Sequence, residues 1–179
     1  MYNNKQRIGW YLNLRGKRFD ITMFKIGDNI AYPMQGAGTI VEITDEETEG
    51  EVHSFYHVEL SQSNLKIMVP VKNSEKVGVR PLIEAEEIDK VLEVLKSKSE
   101  PMPSNWNRRD RANREKLQTG DIYIAAGVVR DLVRRDRKKR LSTGERKLLG
   151  TAKQILESEI ALAGGYTMTE ADKLVESHI

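Results

Sequence analysis

The sequence predicts an α+β protein: a small, strongly bent β-barrel followed by a compact all-α domain of about five helices. Three observations carry this. Residues 23–83 hold short runs of branched and aromatic side chains punctuated by glycines and polar clusters, as strands joined by turns do. From Ile83 onward the apolar spacing changes from two to 3.6, which marks the clearest boundary in the chain. Four or five strands within about 60 residues suit a barrel better than a sandwich. The expected divisions are therefore 1–22, 23–83 and 84–179.

Strands are expected near 29–33, 38–44, 52–60 and 65–69, with the acidic stretch 45–51 as a hairpin loop in which Gly50 can take positive φ. Tyr56, Val58 and Leu60 share one face of the third strand, while His53, Phe55 and His57 share the other.

The first helix is expected over 84–98, burying Ile88, Val91, Leu92 and Leu95. Pro101 and Pro103 break it, and Ser104 or Asn105 can cap a second helix running to about Leu117. A third, 121–139, buries Ile122, Ala125, Ala126, Val129, Leu132 and Val133, and its opposite side is expected to carry Arg130, Arg134 and Arg137. Ser142 and Glu145 form a capping box for a fourth helix with a stripe from Leu148 to Ile160. Gly164 and Gly165 end it, and Thr167 with Glu170 opens a fifth. Residues 1–22 show no sustained period and read as a flexible basic arm or, preferably, as an appended upstream extension.

The net charge of +2 conceals a strong asymmetry. Residues 104–140 carry 12 basic and 5 acidic side chains (+7), whereas residues 23–83 carry 5 and 9 (−4). Such a basic block is either a solvated helix face or a surface for a polyanion. There are no cysteines, which removes disulfides and thiolate zinc sites and accords with a cytoplasmic setting. No apolar run reaches the roughly 18 residues of a membrane span.

Trp106 favours the polyanion. Its helical neighbours at i+3, i+4 and i+7 are Arg109, Asp110 and Asn113, where a core tryptophan would have apolar companions. Arg108, Arg109, Arg111 and Arg114 surround it. Guanidinium groups can hold phosphates while an indole stacks on or wedges between bases, at least cost where a duplex is already opening. A structural adaptor with Trp106 in its core, and a free-standing nucleic-acid binder, remain alternatives.

No enzymatic constellation competes. His53 and His57 stand about 13 Å apart on a strand, too far to share a metal. The chain has no phosphate-binding glycine loop, nucleophile elbow or paired catalytic carboxylates, and no cofactor is expected.

Specific motifs run through both halves: Met23-Phe-Lys-Ile-Gly-Asp28, Ala31-Tyr-Pro33, Gly36-Ala-Gly38, Met68-Val-Pro70 and Val77-Gly-Val79, then Ser104-Asn-Trp-Asn-Arg-Arg109, Ala112-Asn113, Val128-Val-Arg-Asp-Leu132 and Gly144-Glu145. On these the chain resembles the CarD/CdnL-type transcription regulators of bacteria, from Met23 to about Gly164. The resemblance implies a Tudor-like (SH3-like) N-terminal domain that binds the RNA polymerase β subunit. It also implies a helical domain that contacts promoter DNA at the upstream edge of the transcription bubble and stabilises the open complex.

In that pattern Trp106 wedges into the minor groove, and Arg111 and Arg146 support DNA contact. Positions where some members carry arginine for the polymerase fall here on Glu46 and Met68, so the charged contacts differ. A strand edge formed by Leu65, Lys66, Ile67 and Met68 could instead pair with the partner's sheet through main-chain hydrogen bonds. The chain is expected to act as a monomer without membrane contact.

Overall fold

A computed structural model describes residues 24–48, 50–63 and 65–179; the expected arm or extension at 1–22, and Met23, lie outside the described residues. The N-terminal half is a five-stranded antiparallel sheet, β1 (Asn29–Tyr32), β2 (Gly36–Thr48), β3 (Glu51–Leu60), β4 (Lys66–Pro70) and β5 (Arg80–Pro81), in the order β4-β3-β2-β1-β5. A bulge between Ile40 and Glu42 bends β2 as it passes from pairing with β1 to pairing with β3 alone. The predicted period of two on β3 holds, since Ser54, Tyr56, Val58 and Leu60 are buried and the residues between them are half-buried. Phe24 meets Tyr56 edge-on with ring centroids 6.0 Å apart, and together with Ile30, Ile40 and Val69 they form the core of this half.

The acidic stretch 45–51 is not the loop that its polarity suggests. Asp45 pairs with Ser54, Glu46 with His53 and Thr48 with Glu51, so the two strands run on as a solvated ribbon to a tight connection at Gly50, where φ is 80°. Asp45, Glu46 and Glu47 are all exposed, so no apolar alternation marks this stretch. Ladder hydrogen bonds and local pairs such as Ser54 Oγ to Asp45 Oδ1 at 2.7 Å hold it instead.

The helical half contains α1 (Ile88–Lys96), α2 (Trp106–Gln118), α3 (Ile122–Lys138), α4 (Thr143–Gly164) and α5 (Met168–Ser177). Its buried stripes are the predicted ones on α1 and α3, and Leu148, Ala152, Ile155, Leu156 and Ile160 line α4. Both predicted capping boxes form, at Ser142 with Glu145 and at Thr167 with Glu170. The first helix is shorter than expected, because residues 85–87 make a 3₁₀ turn before α1 begins.

Arg130 corrects the reading of α3 as basic along its outer side. It is 3% exposed, forks onto Asp131 at 2.8 and 3.0 Å, and donates to the Val94 carbonyl and Ser97 Oγ. Arg134 also turns inward, donating to the last carbonyls of α1 at Leu95 and Ser97. Only Arg137 of the three stands exposed.

The β1–β2 turn ties the halves together. Met34, at φ 65°, packs against the helical core, and Gln154 Nε2 donates to the Gln35 carbonyl at 3.2 Å. Pro33 lies against Gly78 and Gly120, where an added Cβ would come within 2.8 and 3.0 Å of its ring and where φ is 83° and 73°. Beside it Arg80 forks onto Glu159 at 2.6 and 2.8 Å and donates to the Gly120 carbonyl.

Candidate nucleic-acid interface

Trp106 is the first residue of α2. The Oδ1 of Asn105 caps the helix by accepting the Arg108 N–H at 3.2 Å. The inward face of α2 carries Arg109, Asn113 and Leu117, all buried. Trp106 lies on that face one turn earlier, where its cover has ended, and it is 53% exposed. It is therefore not part of the core. By its sequence α2 has too few apolar residues for a buried stripe; the stripe exists and is mainly polar.

Arg109 is the correction that matters most here. Expected among the phosphate-holding arginines, it is 2% exposed and its donors are engaged within the protein. Nε donates to Glu145 Oε1 at 2.7 Å, and Nη1 donates to the carbonyls of Pro103 and Ser104 at 2.7 and 3.1 Å. A guanidinium that turned outward would give up its bonds to Glu145 and leave that buried carboxylate with Arg135, 3.6 Å away, as its cationic partner.

Glu145 also closes the α4 capping box, accepting the Ser142 N–H at 3.0 Å and its hydroxyl at 2.8 Å. Burial pushes its carboxyl up, but the hydrogen bonds from Ser142 and Arg109 outweigh this and hold it below its ordinary value. The box is legible in the sequence. The second carboxylate oxygen, free to take a distant arginine, is the signal that could have found the pair.

The other basic residues do face solvent. Arg108 is exposed, and the Arg111 side chain is 82% exposed with a surface pair to Glu115 at 2.8 Å. Arg114 is about half exposed and pairs with Asp110 at 2.8 Å. Arg146 is exposed in the first turn of α4, which the Arg109–Glu145 pair ties to the first turn of α2. Exposed i,i+4 pairs contribute little, so a phosphate can readily replace the carboxylate. Lys138, Lys139, Arg140 and Lys147 are also exposed around the turn from α3 to α4. Sequence reasoning does not single these out as contacts.

The second candidate surface is the edge of the sheet. Strand β4 has β3 on one side only, and Leu65 and Met68 are 56% and 50% exposed. Met68 stands opposite His57 and Glu46 opposite His53, which places both on the outer face of the sheet, along with exposed Lys66. Ile67 departs from the expected set, because it sits opposite Val58 and its side chain packs against the core. Only its backbone remains at the edge.

Among the described residues no cluster of three or more metal-ligating side chains is present, and no helix is long and apolar enough to cross a membrane.

Comparison with known proteins gives consecutive matches. The family model described as "CarD-like/TRCF RID domain" matches residues 24–83, and the one described as "CarD, C-terminal domain" matches residues 90–176. A protein of Bacillus subtilis (strain 168) named "Putative transcription factor YdeB" is 34% identical over 145 residues, spanning 81% of this chain and 95% of its own length. With both halves matched in order and a relative similar along nearly all of its length, the chain belongs to the CarD/CdnL-type family.

Proposed function

We propose that this chain is a transcription regulator that docks on the β subunit of bacterial RNA polymerase through residues 23–83. In this reading residues 84–179 press Trp106 into the minor groove of promoter DNA at the upstream edge of the bubble and stabilise the open complex. The observation that carries the reading is the half-exposed indole at the start of α2, a helix whose outer side carries the exposed Arg108 and Arg111.

The chemistry is non-covalent. Arg108, Arg111, Arg114 and Arg146 hold phosphates and set the pose, while Trp106 fills the gap at a loosened base step. Neither surface needs high affinity alone: docking on polymerase raises the local concentration of the helical half at DNA, so weak sequence preference suffices. The place of action is the cytoplasm, at the nucleoid.

Promoter opening by purified polymerase, with and without the protein, tests this. The protein should lengthen the lifetime of the open complex. Trp106→Ala should shorten it about tenfold relative to the unaltered protein, since base–aromatic contacts are worth about 1–3 kcal/mol. If Trp106→Ala supports open complexes as well as the unaltered protein does, the wedge role is wrong.

A further inference from the structure

An indole that swung freely at the start of α2 would lose that freedom whenever it entered DNA, and binding would weaken accordingly. Arg109 ties down the segment that leads into the indole. One guanidinium joins three pieces of structure: the approach segment through the Pro103 and Ser104 carbonyls, the first turn of α2 from which Arg109 springs, and the first turn of α4 through Glu145. Pro103 and Ser104 lead directly into Asn105, the cap on which Trp106 is mounted. Glu145 is fixed in turn by the Ser142 N–H and hydroxyl on its other oxygen, so the brace ends on the helix that carries Arg146.

We propose that Arg109 and Glu145 are positioning residues, which pre-orient Trp106 and fix its separation from Arg146 without themselves touching DNA. This rests on the reading of Trp106 as the DNA wedge. The choice of arginine follows from geometry. A lysine could neutralise Glu145, but a single ammonium on a flexible stem does not reproduce the planar fork that faces a carboxylate on one side and two carbonyls on another.

Arg109→Lys in the full chain separates the possibilities, with Trp10→Phe added so that Trp106 is the single indole. Three quantities are measured: the fluorescence anisotropy decay of Trp106 in the free protein, the open-complex lifetime, and the salt dependence of binding to a forked duplex. The expected result is greater local motion of Trp106 and a lifetime shortened by up to about tenfold, approaching the effect of removing the indole. The slope of log K against log salt should stay unchanged, because no phosphate contact is lost.

Unchanged Trp106 motion overturns the proposal and leaves Arg109 as a structural ion pair. A slope lower by about one overturns it differently, by making Arg109 a phosphate contact. Should Arg109→Lys fail to fold, Glu145→Gln undergoes the same measurements, and the same results support or overturn the brace. If Trp106→Ala does not alter the lifetime at all, the wedge reading falls, while the anisotropy of the free protein still decides whether Arg109 holds the ring.

Discussion

The Ser158 hydroxyl, deep in α4, accepts the backbone N–H of Ala37 at 2.8 Å, so the second strand of the sheet and the longest helix share a buried hydrogen bond. Both residues are 1% exposed, and the Ser158 hydroxyl donates in turn to the Ile155 carbonyl at 3.2 Å. Ser158→Ala removes the acceptor and leaves the amide dry and unpaired. The expected loss is about 1–3 kcal/mol, or about 2–4 °C of melting temperature for each kcal/mol. Urea denaturation of the two proteins measures it, and identical midpoints would mean that water or a local shift satisfies Ala37.

The contact between α4 and α5 should make stability depend on pH. Lys153 Nζ lies 2.6 Å from Asp172, 2.9 Å from Glu176 and 3.4 Å from Glu157. Burial pushes the Glu157 carboxyl up to about 7, with Lys153 pulling against it, while the hydrogen bond from Lys153 holds Asp172 below its usual range. A carboxyl whose folded value is raised binds its proton more tightly when folded. Its contribution is therefore full below about 4.5 and is lost as pH rises through about 7, whereas that of Asp172 is lost only as pH falls below the usual aspartate range. Glu157→Gln should become more stable relative to the unaltered protein across that interval, by about 1–3 kcal/mol at most. Thermal melts of both proteins from pH 4 to 8 give the answer, and parallel curves would rule the effect out.

Apolar periodicity and caps make most of this fold legible, because they are written within a few residues of one another. Ile88, Val91, Leu92 and Leu95 announce α1, and Ser142 with Glu145 announces the start of α4. Pairings between distant charges carry no such signature. Arg80 and Glu159 are 79 positions apart, and Arg109 and Glu145 are 36, so neither member of a pair shows locally which partner it will meet. For that reason Arg109 reads as a surface charge; Arg130 does so because the carbonyl of Val94 and the hydroxyl of Ser97 that receive it lie on another element, although its carboxylate partner, Asp131, is adjacent. The polar companions of Trp106 point correctly to an exposed ring, although two of them, Arg109 and Asn113, are buried while the indole emerges. The strands within 45–51 escape period-two reasoning, which detects a sheet only where one face is dry.

Arg111 should contribute to DNA binding through charge alone. Its side chain is 82% exposed and bonded only on the surface, to Glu115. Arg111→Gln should leave the fold intact and lower the slope of log K against log salt by about 0.9, the value for one phosphate contact on duplex DNA. Sequence preference should be unchanged, because phosphate contacts read no bases. Titrations of unrelated duplexes at several salt concentrations decide it, and an unaltered slope would remove Arg111 from the interface.

Strand β4 separates a docking surface from a core within consecutive residues. Met68 is 50% exposed on the outer face, while Ile67 and Val69 turn toward Val58 and Tyr56. Met68→Asp should change stability by no more than about 0.5 kcal/mol, as surface substitutions do. If the polymerase β-lobe covers this edge, the same change should weaken capture of the lobe about tenfold, through lost apolar contact and the cost of desolvating a carboxylate. Ile67→Asp should instead destabilise the sheet itself, because it places a charge against the core. Paired melting and lobe-binding measurements on the two variants distinguish these effects. Undiminished capture by a folded Met68→Asp protein would move the docking surface away from β4.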